Sequence, residues 1–203
     1  MRFSYTTFSN CVSDSWTLAI GDPNIMGWGV FAAYAVATSF ALSVTWQAPF
    51  ASGHRRQERV FWGLISLAMA ALALNKQLDL QSLLTAAGRC LAKEQGWYEN
   101  RRIVQRDFIF AMIALFVLVG TMAIWLLRGI IGRNLIALLG LTTLAGFVLL
   151  RGGHLFHIFV PDHLSTDILL HKTTSALEVL SPLLIIAAAG LLLRQRIGSQ
   201  GRT

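Results

Sequence analysis

Five stretches of this chain are apolar over roughly 20 residues each, the length at which a helix crosses the hydrocarbon core of a bilayer. They begin near Met26, Val60, Phe108, Asn134 and Asp167. Hydrocarbon offers no water to backbone N–H and C=O groups, so each such segment must satisfy its own, and the helix does this within one segment. The chain is therefore expected to be all-α, a polytopic transmembrane helical bundle of about five spans. The spans are read over about 26–48, 58–83, 108–130, 133–158 and 165–193, within a single domain covering 1–203.

Composition agrees. Hydrophobic residues make up 55% and charged residues 13%, against about 25% charged in an ordinary soluble domain. The net charge of +7 raises the question of nucleic acid. The basic residues, however, sit at span ends (Arg55, Arg56, Arg59; Arg128, Arg133; Arg194, Arg196) and do not form a soluble patch. The bilayer is the expected partner, and nucleic acid is not. The N-terminal segment lacks the charged start, apolar centre and cleavage site of a secretory signal, so the first span reads as an anchor.

An odd number of spans puts the termini on opposite sides. The C-terminal tail carries Arg194, Arg196 and Arg202, the N-terminal segment only Arg2. The positive-inside rule thus favours an outer N-terminus and a cytoplasmic C-terminus in a bacterial inner membrane. Arg89, Lys93, Arg101, Arg102 and Arg106, in the connection after the second span, argue the other way. In that connection Leu83, Leu84, Ala87 and Leu91 share one helical side, which predicts an interfacial amphipathic helix following span two. Trp97 and Tyr98 suit the headgroup level or packing on the N-terminal segment. Cys11 and Cys90 lie on the same side in either orientation and are a candidate disulfide if that side is oxidising.

The second and fifth spans are the least pure. Asn75, Asp79 and Ser82 share a face of the second, with Lys76 beside them; Arg151 lies in the last part of the fourth; Glu178 lies within the fifth. An ion in hydrocarbon costs at least about 2.5–3.5 kcal/mol. Asn75, Lys76, Asp79, Arg151 and Glu178 are therefore expected to form a buried polar network, most simply with Lys76 or Arg151 paired to Glu178 or Asp79. Its plainest role is to fix the register of the helices. Pro182 removes the amide that would bond the Glu178 carbonyl and so predicts a kink beside that acid.

Four of the five histidines fall between His154 and His171. His154 and His157 are spaced i, i+3. His163, Asp167, His171, Thr174, Glu178 and Ser181 fall within about 80° of one helix face. Neutral imidazoles with a carboxylate suit zinc, copper or iron, and one histidine from each of two helices suits a non-covalent haem. His154, His157, His163, Asp167 and His171 are the candidate metal or cofactor residues. Their spacing matches no zinc-protease pattern. His54, in the basic loop, reads as an ordinary interfacial histidine.

The run Leu72–Phe108, with its Asn-Lys-Gln-Leu-Asp-Leu-Gln and Gly-Trp-Tyr-Glu-Asn-Arg-Arg blocks, resembles a group of bacterial multi-span membrane proteins with no known activity. In that group the span before the last tends to end in an arginine followed by a histidine pair and an acid, and Arg151, His154, His157 and Asp162 are a loosened version. The resemblance implies a membrane bundle and no catalytic residue. A weaker similarity is to ceramidase-like membrane hydrolases, which gather histidines, an aspartate and a serine around zinc; this chain has fewer spans and different spacings.

The expectation is an inner-membrane protein with an outward-facing His/Asp/Glu polar site, serving as a non-catalytic or cofactor-binding subunit beside other membrane subunits. Its small-residue helix faces, such as Gly140, Ala145 and Gly146, offer packing surfaces. The alternative is a zinc-dependent membrane hydrolase in which Asp167 or Glu178 takes a proton from metal-bound water. Proton conduction ranks third, because after Pro182 the helix reads LLIIAAAGLLL and the polar stripe stops.

Overall fold

The computed structural model describes residues 5–17, 22–48, 50, 53–155 and 166–200. The described residues form α1 (Tyr5–Ser15), α2 (Ile25–Gln47), α3 (Arg55–Leu78), α4 (Leu80–Glu94), α5 (Arg101–Leu126), α6 (Ile131–Leu155) and α7 (Thr166–Gln200), with a 3₁₀ turn at Tyr98–Asn100 and no strand among them. Five of these, α2, α3, α5, α6 and α7, are long and apolar enough to span a membrane. The protein is an all-helical, multi-pass membrane bundle.

Local chemistry sets the helix ends. The Asn24 side chain caps α2, its Oδ1 accepting from the Gly27 amide at 2.6 Å, which satisfies a donor the helix itself leaves open. The same helix stops at Ala48, extended at ψ 144°, because Pro49 disfavours the helical region for the residue before it. The second span ends earlier than its 58–83 reading. Asp79 is left-handed at φ 45°, a conformation that aspartate tolerates better than most residues. That residue divides α3 from α4.

Beyond this break α4 is the amphipathic segment expected after span two, burying Ala86, Cys90 and Ala92. It packs against α1, a helix with no equivalent in the sequence reading. Nothing in α1 is fully buried, and a disulfide from Cys11 to Cys90 ties it to α4. The end of the bundle that carries this bridge is called here the disulfide end, and the other the far end. The third span, read over 108–130, runs instead from Arg101 to Leu126, since the chain turns at Leu127–Ile130 through Gly129 at φ 88°, an angle glycine adopts without steric cost.

Packing centres on α2. Val30, Tyr34, Ala37, Ala41 and Val44 are buried along it at alternating spacings of four and three, the rhythm of a knobs-into-holes seam. Helix α3 answers with Trp62, Ile65, Met69 and Ala73, and α7 with Ile185, Ala188, Ala189 and Leu192. Ala37 and Ala41 are fully buried; small side chains there let neighbouring backbones approach, which is how membrane helices gain contact when no hydrophobic force drives them together. Along α6, a Cβ at Gly140 would stand 3.2 Å from Leu184 Cβ. The small-residue face of α6 is thus used within the chain, against α7. Helix α5 packs mainly on α6 and leaves Phe110, Leu118, Met122 and Trp125 exposed.

Candidate functional site

The charged residues of the second, fourth and fifth spans meet at the disulfide end. Lys76, two residues before α3 ends, places its Nζ 2.7 Å from Asp22 Oδ2 and 3.0 Å from Glu178 Oε1. The Lys76 and Glu178 side chains are each 11% exposed, whereas Asp22 is 41% exposed. A lysine thus bridges a buried acid on α7 and a half-exposed acid just before α2.

Asp22 has no place in the sequence reading. It comes within reach because Gly27 has no side chain: a Cβ there would collide with the Asp22 carbonyl and Cβ. Asp22 therefore lies against the first turn of α2. An acid followed five residues later by glycine at a helix start is the only trace of this in the sequence.

Tyr34 is the second residue the sequence did not flag, since an aromatic within an apolar run reads as packing. Its hydroxyl donates to the Glu178 carbonyl at 3.3 Å. That carbonyl is the one Pro182 leaves without an amide partner, and Tyr34, Pro182 and Ser181 are all buried. The proline frees an acceptor on α7 and α2 supplies the donor, so the helix irregularity becomes a cross-helix bond.

Around these groups lies a cavity of about 140 Å³, lined by Asp22, Tyr34, Leu72, Asn75, Lys76, Asp79, Ser82, Phe147, Arg151 and Glu178. Asn75, Lys76, Asp79, Arg151 and Glu178 thus share one lining. Arg151 stands over the Phe147 ring at 5.9 Å. Among the described residues the cavity is lined by three acids and two bases, within about one or two helical turns of the ends of α3 and α6, at 1.5 Å per residue.

Of the proposed metal or cofactor residues, His157 and His163 lie outside the described residues. His154 is in α6 and Asp167 and His171 are in α7, but their side chains lie outside the description. Among the described residues no three histidine, cysteine or acidic groups converge as a metal site would require. His54 makes a local contact, Nδ1 to Gln57 Oε1 at 2.6 Å.

A second polar cluster at the far end was not read from the sequence at all. Glu58, Asn134 and Trp62 are fully buried. Trp62 Nε1 donates to Asn134 Oδ1 at 3.0 Å, and Asn134 Nδ2 donates to Glu58 Oε1 at 3.2 Å. Arg133 Nη1 stands 3.9 Å from Glu58 Oε2. In the sequence Glu58 looks like one more charge in a solvated basic run; only the turn into α6 brings Asn134 over it. No family model, curated protein or solved structure matches the chain.

Proposed function

We propose that this is a bacterial inner-membrane protein that acts as a non-catalytic, ligand-binding subunit of a larger membrane assembly, its binding site facing outward. The observation that carries the reading is the charged cavity at the disulfide end. Gathering five ionisable groups, Lys76 and Glu178 largely buried among them, near the edge of hydrocarbon is costly, and a bundle needing only register could obtain it from a single pair. Support for a partner comes from α5, which holds an almost wholly exposed apolar surface while packing chiefly on one neighbour.

The orientation rests on the bridge between Cys11 and Cys90. Disulfides persist in oxidising compartments and rarely in the cytosol, so the disulfide end, with the cavity, faces the periplasm and the arginine-bearing C-terminus faces the cytoplasm. An alkaline phosphatase fused at the C-terminus is expected to be inactive and a green fluorescent protein there to fluoresce. The opposite pair of results would overturn the orientation.

Native mass spectrometry of the protein taken in nanodiscs from its own membrane tests the function. The wild type is expected to carry a bound small molecule and to co-purify with membrane subunits, and Arg151→Gln to lose the small molecule while keeping those subunits. A bare wild-type mass with no companion would sink the reading. Stoichiometric zinc that disappears in His154→Ala plus His171→Ala would replace it with a metal-dependent hydrolase.

A further inference from the structure

The helices around the cavity form an arc, and the arc does not close evenly. Helix α3 packs along α2, α2 along α7, and α7 along α6. The remaining side, between α3 and α6, is joined at the far end, where Trp62 and Glu58 bond Asn134. Towards the disulfide end the same two helices face each other across the cavity, with Leu72, Asn75 and Lys76 on one wall and Phe147 and Arg151 on the other. The cavity therefore sits at the wide end of the wedge between α3 and α6.

From this shape and this lining we infer that the ligand is a zwitterionic phospholipid, entering between α3 and α6 with its headgroup in the cavity. The inference rests on the binding-site reading above and names its ligand class. Depth is the first argument. Arg151 lies four residues from the end of α6 and Lys76 two from the end of α3, about 3–6 Å along the axis, which is where a phosphate meets the edge of the hydrocarbon.

Charge is the second. Among the described lining residues, three acids against two bases disfavour a headgroup of net negative charge, and the Arg151 guanidinium disfavours a lone cation. A headgroup carrying both signs meets both: its phosphate suits the guanidinium, as phosphates generally do, and its ammonium suits Asp79 and Asp22. Size is the third. About 140 Å³ is several times the ~30 Å³ share of one water, enough for a headgroup and not for acyl chains. Those would run down the seam past Leu72 and Phe147.

The test is native mass spectrometry of the detergent-purified full chain titrated with phosphatidylethanolamine, phosphatidylglycerol or free phosphoethanolamine. Wild type, Arg151→Gln and Leu72→Trp are compared, the last filling the cavity without removing a charge. The expected result is one tightly held phosphatidylethanolamine, bound at least tenfold more weakly by each variant, with weaker phosphatidylglycerol binding. Equal binding of both lipids, or binding unchanged in both variants, means surrounding lipid only and overturns the proposal. Variant-sensitive binding of free phosphoethanolamine without lipid selectivity overturns the lipid and leaves the binding site standing. No variant-sensitive binding of any of the three, with a different mass retained from the native membrane, likewise removes the lipid alone; with no retained mass, both readings fall.

Discussion

Replacing Lys76 with Met is expected to cost the bundle about 3 kcal/mol, because it leaves one member of a buried ion pair without the other. Glu178 is 8% exposed, and its Oε1 has Lys76 Nζ at 3.0 Å. Water reaches it poorly, so the carboxylate loses its partner without regaining hydration. The double variant Lys76→Met plus Glu178→Leu should recover most of the loss, since replacing a whole buried pair with apolar groups of similar size is often neutral or better.

Asp22→Asn separates the two bridges made by the same ammonium. The Asp22 side chain is 41% exposed, and pairs open to solvent contribute about 0–1 kcal/mol. The three variants, unfolded from bicelles under one set of conditions, should therefore rank Lys76→Met far below Asp22→Asn, with the double variant near the wild type. If the double variant were no better than Lys76→Met, the pair would not be coupled and the lysine would act by packing its stem alone. The ion pair matters to the architecture because α3 and α7 each pack on α2, and Lys76–Glu178 closes that triangle at the disulfide end.

The spans were legible because length and hydropathy are set by the bilayer, and the amphipathic helix after span two because α4 buries one face, Ala86, Cys90 and Ala92, and leaves the other exposed. What the sequence hid has a common cause. In α2 the face towards the core and the face towards lipid are both apolar, so the seam of Tyr34, Ala37 and Ala41 leaves no amphipathic trace. The bend at Asp79 depends on a left-handed backbone at a residue that is polar for other reasons. Lys76 and Glu178 stood out as charges in greasy runs, whereas Asp22 and Glu58 stand at helix starts, where an acid is unremarkable. Neighbours brought in from distant segments, Lys76 beside Asp22 and Asn134 over Glu58, give those acids their roles.

Asn134→Leu is expected to cost about 3 kcal/mol, though the two side chains share the same branched heavy-atom skeleton. Asn134 both accepts from the Trp62 indole and donates to Glu58, and all three residues are fully buried. Leucine leaves an indole N–H unsatisfied, at about 1–3 kcal/mol, and takes from a buried carboxylate a donor whose loss costs more than a neutral one. Glu58→Gln is the contrast. Glutamine's amide oxygen can still accept from Asn134, and the ion pair it removes is long, 3.9 Å, to an arginine whose side chain is 23% exposed, so about 1 kcal/mol is expected. Thermal unfolding in a single detergent ranks the two, and an Asn134→Leu protein as stable as Glu58→Gln would mean the far-end cluster is wet and carries little. The cluster has a further consequence for the opposite end. Because Trp62 and Glu58 join α3 to α6 through Asn134, the hinge of the wedge is released in Asn134→Leu while the cavity lining stays intact. Ligand binding at the cavity should weaken in Asn134→Leu and persist in Glu58→Gln, and that ordering distinguishes a bundle whose far end sets the opening of its site from one whose two polar clusters act independently.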